Sequence, residues 1–142
     1  MAPKNIVVLD DHSLYRYALS ILLNEYYASI NINQFSESKS ALKYILDCKK
    51  EKQVIHLIIT DQNHPGDDGI AFANACRKIE KQYNAITPLL LFSMTVRVSD
   101  QRNIFFNNNI STDNPFNLCL PKSIEKDKLI DCISELMTNS II

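Results

Sequence analysis

The sequence predicts an α/β domain built as a doubly wound, five-stranded parallel sheet with helices on both faces. Three observations carry this. Short apolar runs at residues 6–9, 54–60 and 89–92 are too continuously apolar for strands with one wet face, and read as strands buried on both sides. The segments between them carry apolar residues at three- and four-residue steps, the period of an amphipathic helix. The two kinds alternate as βαβαβαβαβα, which right-handed crossovers wind into a helix–sheet–helix sandwich. The 142 residues fit a single domain spanning 1–142, with no internal repeat or linker.

Each element has a local reason. The first strand, 6–9, is rich in β-branched residues and stops at Asp10 and Asp11. A helix over 13–27 follows, with Ser13 as N-cap and Leu14, Ala18, Ile21, Leu22 and Glu25 at helical spacing. The alternation over 30–33 predicts an edge strand. Residues 38–50 predict a helix facing inward through Ala41, Leu42, Ile45 and Leu46, and the run Lys49, Lys50, Glu51, Lys52 reads as its solvated end. The strand over 54–60 ends at Asp61. Residues 63–69 are a loop by composition, with Asp67, Asp68 and Gly69 as turn and helix start. A helix over 70–83 turns Ile70, Ala73, Cys76 and Ile79 inward. Pro88 opens a strand over 89–92 that ends at Ser93. The pattern weakens between 96 and 117, where a helix around 99–107 is followed by breaking Asn, Ser and Pro clusters. A last strand over 116–120 ends at Pro121 and Lys122. Ser123 caps a final helix with Leu129, Ile133, Leu136 and Met137 as its apolar stripe.

Composition excludes several function classes. With a net charge of −1 the chain has no global field drawing it to nucleic acid or an anionic membrane. Gly66 and Gly69 are its two glycines, so Gly-rich phosphate loops are excluded. Cys48, Cys76, Cys119 and Cys132 form no CxxC pair and read as reduced, buried thiols, which points to the cytoplasm. No apolar run approaches the roughly 20 residues of a membrane span, and the four apolar residues near the start are too few for a signal-peptide core.

In such a sheet, ligands bind beyond the carboxyl ends of the strands. Asp10 and Asp11 end the first strand, Asp61 the third, Ser93 the fourth with Thr95 just after, and Lys122 the fifth. Clustered carboxylates repel unless a cation sits among them. A hard divalent ion, Mg2+, suits Asp11 and Asp61 as oxygen ligands and leaves positions open for phosphate oxygens. A lysine alongside neutralises charge developing on a phosphoryl group, and a carboxylate can itself be the nucleophile. The set is suited to moving a phosphoryl group.

These residues resemble the receiver domain of two-component response regulators. The resemblance rests on Val8-Leu9-Asp10-Asp11-His12, on Ile59-Thr60-Asp61 followed by Pro65 and Gly69, on Ser93 and on Lys122, and covers nearly the whole chain. It implies a flavodoxin-like sheet of strand order 2-1-3-4-5. It also implies Asp61 as phosphoacceptor, served by a histidine kinase or histidine phosphotransfer protein. Asp11 and Asp61 would ligate Mg2+, with Asp10 acting through water and the Asn63 main-chain carbonyl as a further ligand. Ser93 and Lys122 would hold the phosphoryl group, and the backbone N–H groups of Gln62 and Met94 would face it. Thr95 and Cys119 are candidate output-switch positions. The implied output is a change of association, including a homodimer, without turnover of an external substrate and without direct nucleic-acid or membrane binding. The start Asp10-Asp11-His12-Ser13-Leu14-Tyr15-Arg16 looks most like transcription regulators that carry a C-terminal helix-turn-helix domain, which is absent from this sequence.

The chain also departs from the family pattern. Met94 stands where Ala or Gly is usual, Cys119 where an aromatic is usual, and Pro121 precedes the lysine rather than following it. The Asn-rich stretch between Ser93 and Lys122 is long. These departures motivate a second reading, a phosphorylation-independent interaction module. A Mg2+-dependent phosphohydrolase is a third, for which no substrate pocket is legible. His12 reads as a loop residue beside the site rather than a metal ligand, His56 as a core or sheet-end residue, and His64 as a solvated one. Tyr15, Tyr17, Tyr26 and Tyr27 read as helix-surface and core packing.

Overall fold

The computed structural model describes residues 3–64, 67–94 and 106–139. Five strands form one sheet: β1 (Lys4–Leu9), β2 (Ile30–Phe35), β3 (Leu57–Thr60), β4 (Leu89–Ser93) and β5 (Leu118–Pro121). They pair in parallel in the order β2-β1-β3-β4-β5, as expected. Four helices are seen among the described residues: α1 (Ser13–Tyr26), α2 (Ser38–Lys50), α3 (Gly69–Tyr83) and α4 (Lys126–Asn139).

The continuous apolar runs are explained by which way successive residues point. Ile6, Val8, Leu57, Ile59 and Leu90 pack with Leu19, Leu22 and Leu23 of α1 and Leu129, Ile133 and Leu136 of α4. Their neighbours Val7, Leu9, Ile58, Leu89 and Leu91 pack on the opposite face with Ala41 and Ile45 of α2 and Phe72, Ala73 and Cys76 of α3. Side chains alternate across a strand, so a sheet covered on both faces needs apolar residues at every position.

Several helix readings are corrected. The buried face of α1 is Leu19, Leu22 and Leu23, whereas Leu14 and Ile21 of the expected stripe are 76% and 43% exposed. Helix α1 carries apolar residues around most of its circumference, so periodicity fits two faces and the sheet selects one. In α3, Ala73 and Cys76 are buried as expected, but Phe72 and Glu80 join them while Ile70 is exposed. Ser13 lies inside α1, whose N-cap is His12. Ser123 lies in the turn between β5 and α4, and the first bond of α4 runs from Leu129 N–H to Glu125 O at 3.0 Å. Asp68 does cap α3, its carboxylate accepting from Ala71 N–H at 2.8 Å.

The strand before Asp61 begins at Leu57 rather than at residue 54, and β5 begins at Leu118. Within the expected 63–69 loop, Asn63–His64 and Asp67–Asp68 form a short antiparallel ladder. The helix expected around 99–107 falls, up to residue 105, outside the described residues; Phe106 and Asn107 are not helical.

Lys50, Glu51 and Lys52 form a solvated helix end, but Lys49 does not. It is 8% exposed and donates to Thr87 Oγ1 at 2.9 Å. Burial pushes its pKa down, opposed by the nearby Glu80 charge. Glu80 is buried as well, held by Arg77 and by Thr87 N–H at 2.7 Å. The thiols of Cys48, Cys76 and Cys132 are free and buried, and Cys119 is half-buried. Burial raises the pKa of all four, which keeps them protonated and poorly nucleophilic. No described helix is long and apolar enough to cross a membrane.

At the start of the sheet, Asn5 and His56 bond reciprocally. His56 N–H donates to Asn5 O at 2.8 Å, and Asn5 N–H donates to His56 Nδ1 at 2.9 Å. Desolvation lowers the pKa of His56, aided by the Lys4 charge. The folded state therefore binds a proton at His56 less readily than the unfolded chain, which titrates near pH 6.5. This contribution to stability is full above about pH 6.5 and is lost as pH falls from there through the depressed folded value. The wild type is expected to lose stability more steeply on acidification below pH ~6.5 than His56→Gln, as read from urea midpoints over a pH series.

Candidate functional site

Parallel pairing brings the carboxyl ends of β1, β3, β4 and β5 to one rim. Asp10 follows β1 and Asp61 follows the adjacent β3, with Asp61 N–H donating to Leu9 O at 3.0 Å. On the far side Lys122 follows β5, its N–H donating to Ser93 O at 3.1 Å. The Lys122 side chain reaches back across the rim. Its ammonium Nζ lies 2.7 Å from Asp10 Oδ2 and 3.3 Å from Asp61 Oδ2, and the side chain is 4% exposed.

The remaining carboxylate oxygens are held by backbone donors. Asp10 Oδ1 accepts from His12 N–H at 2.9 Å and Asp61 Oδ1 from Gln62 N–H at 2.7 Å. The Arg16 guanidinium donates to the Asp10 carbonyl, tying α1 to the end of β1. Asp11 is the exposed carboxylate of the set. One ligand atom from each of Asp10, Asp11, His12 and Asp61 lies within 4.8 Å of the others. Three carboxylates thus face one ammonium, and two of them are buried. A cluster short of positive charge and rich in hard oxygen donors fits a small divalent cation such as Mg2+. His12 sits beside it as expected, exposed, with Nδ1 3.1 Å from Asp11 Oδ1.

The loop after Asp61 requires glycine at residue 69. A Cβ there would stand 2.8 Å from Asp61 O and 3.2 Å from Gln62 Cα, while Gly69 N–H donates to Gln62 O at 2.7 Å. The chain folds back onto its own strand end, and a side chain would push the start of α3 away from Asp61.

Residues 6–134 match the response regulator receiver domain family. The chain belongs to that family. Among solved structures it is similar to the receiver domain of the histidine kinase CKI1 from Arabidopsis thaliana, crystallised with Mg2+ and BeF3−. That pair shows 21% identity over 93% of this chain and 90% of the other, with a TM-score of 0.70. It is similar also to the chemotaxis response regulator CheY4 of Vibrio cholerae, at 21% identity, 95% and 99% coverage and a TM-score of 0.68. A response regulator receiver domain protein from Clostridium thermocellum aligns at 18% identity, 96% and 95% coverage and 0.68. No curated protein sequence matches the chain at a significant level.

The receiver domain gathers Asp10, Asp11, Asp61 and Lys122 as anticipated, and Ser93 ends β4 fully buried. Asn63 pairs through its backbone with Asp68 in the short ladder. Pro65 and Thr95 lie outside the described residues. Cys119 packs with the α2–α3 side of the core. Met94 is 71% exposed, and its Sδ accepts from Tyr15 Oη at 3.3 Å.

That contact brings in a residue the sequence reading assigned to packing. Tyr15 lays its ring over Lys122, with Nζ 3.9 Å from the ring centroid. His12 meets the same ring edge-on, centroids 5.8 Å apart at 86°. The available signal was position: Tyr15 is in the first turn of a helix that starts right after the Asp10–Asp11 pair, so it must stand near the strand ends whatever face α1 buries.

Proposed function

We propose that this receiver domain accepts a phosphoryl group on Asp61 from the phosphohistidine of a histidine kinase or histidine phosphotransfer protein, and that the modification switches its association or output. The observation that carries the reading is the Lys122 ammonium set between the carboxylates of Asp10 and Asp61 with Asp11 close by. Asp61 is the nucleophile: a carboxylate oxygen bonds to phosphorus, the P–N bond to the donor imidazole breaks, and the departing nitrogen keeps the electron pair. Gln62 N–H already points at the acceptor carboxylate. Lys122, relieved of Asp61, pairs with the new phosphoryl oxygens, and the Ser93 hydroxyl and Met94 N–H serve the same group. Asp11 and Asp61, with Asp10 through water and the Asn63 carbonyl, would hold Mg2+, which when bound would supply charge to offset the phosphoryl oxygens. The receiver of CKI1, crystallised with Mg2+ and BeF3−, supports the assignment by analogy of fold.

Phosphorylation adds about −1.5 to −2 charges to a rim already short of cations, enough to bias a two-state surface. The chemistry is confined to the protein's own phosphorylation and dephosphorylation, in the cytoplasm. Intact mass is expected to rise by one phosphoryl group after acetyl phosphate with Mg2+, but not with a chelator, and size exclusion to report the change in association. Met94 and Cys119 favour the other reading, a phosphorylation-independent module. Absence of both a mass gain and a beryllofluoride-induced change would overturn the phosphoacceptor reading in favour of that one.

A further inference from the structure

Lys122 meets three groups. Two are the carboxylates it neutralises, and the third is the face of Tyr15. The ring covers a side of the ammonium that water would otherwise solvate, and the lysine side chain is almost fully buried although its tip ends among charges at a rim. Tyr15 is itself held. Its hydroxyl donates to Met94 Sδ, and His12 packs edge-on against its ring. Met94 follows directly on the end of β4, so the contact ties the first turn of α1 to the strand end that carries Ser93. A long thioether at residue 94, which departs from the small residue the family usually carries, is here the acceptor that fixes the ring.

We infer that Tyr15 is a positioning residue for phosphoryl transfer: its ring holds the Lys122 ammonium over the acceptor carboxylate. The inference rests on the phosphoacceptor reading of Asp61. Its physical basis is separate from that reading. A cation against an aromatic face is attracted by the ring quadrupole, and the attraction grows when both are shielded from water. In Tyr15→Leu the helix face keeps its bulk and α1 keeps a good helix former, but the ammonium regains a hydrated, mobile side. Tyr15→Phe keeps the ring and loses only the bond to Met94.

The test compares wild type, Tyr15→Leu and Tyr15→Phe at saturating Mg2+ with acetyl phosphate, reading the rate of mass gain and the rate of its later loss. Tyr15→Leu is expected to be phosphorylated slower, on the order of tenfold, with Tyr15→Phe within about threefold of wild type. In metal-free, unphosphorylated protein, NMR of the Lys122 ε-methylene protons is expected to show the upfield shift imposed by a ring face. That shift should be kept in Tyr15→Phe and lost in Tyr15→Leu. Equal rates for wild type and Tyr15→Leu, or a Phe variant as slow as the Leu variant, would overturn the inference. So would a Lys122 shift that ignores residue 15. Failure of the wild type to take up any phosphoryl group, with the NMR pattern as expected, would instead strike the reading of Asp61 and leave the contact standing.

Discussion

Asp61→Asn is expected to take up no phosphoryl group under conditions proposed to label the wild type, and in the absence of divalent metal to be more stable than the wild type. The first effect follows from replacing the nucleophilic oxygen pair by an amide. The second follows from the count of charges at the rim. Asp61 is attracted by Lys122 at 3.3 Å and, without an ion pair, by the Arg16 guanidinium held on the Asp10 carbonyl, and it is repelled by Asp10 and Asp11 within the same 4.8 Å cluster. Lys122 keeps its closer partner, Asp10 at 2.7 Å, and the amide oxygen still accepts from Gln62 N–H. The expected gain is about 1 kcal/mol, read from urea midpoints in the presence of a chelator. Adding Mg2+ should raise the midpoint of the wild type more than that of the variant, because an ion that binds only the folded state stabilises it in proportion to its affinity.

The largest loss of stability is expected from a residue far from the rim. Arg77 donates to Pro115 O through Nη2 at 2.8 Å, to Asn117 Oδ1 at 2.8 Å, to Thr87 O at 2.9 Å and to Glu80 Oε2 at 3.0 Å. One side chain thus joins the middle of α3 to the segments leading into β4 and β5. Arg77→Met leaves the Glu80 carboxylate buried beside Lys49 without its main partner, and leaves the carbonyls of Thr87 and Pro115 short of a donor. A cost of about 3–5 kcal/mol is expected. Arg77→Lys should recover only a part, since one ammonium cannot reproduce the planar fork. Adding Glu80→Gln to Arg77→Met should also recover a part, because the uncompensated charge is then gone. Urea denaturation of the three variants measures each share.

The same network shows where sequence reasoning stopped. The central strands were legible because burial on both faces leaves no polar position, as in Ile6 to Leu9, while their order was implied by the family resemblance. The acidic rim was legible because strand ends converge in a parallel sheet, so Asp10, Asp61 and Lys122 could be brought together without knowing any distance. Lys49 was misread because the partners that make its burial tolerable, Thr87 and Glu80, stand more than thirty residues away and leave no local trace. The face of α1 was misread because Leu14 and Ile21 match the helical period as well as Leu19 and Leu23 do, and only packing on the sheet distinguishes them. Tyr15 was counted as packing because its role lies in a contact between the first helix and the last strand, which no periodicity encodes.

Pro121 closes the sheet in a further sense. It is the last residue of β5, at one end of the strand order, in register with Ser93. Lys122 N–H points inward to Ser93 O, so the alternate position, residue 121, turns its nitrogen to the open side, where proline has no hydrogen to offer. A neighbouring chain that tried to continue the ladder there would meet a gap in the row of donors beside Lys122. Two copies of this protein meeting along that border would lack a backbone bond at Pro121, so the contact at that level of the rim would fall to side-chain packing rather than to the ladder.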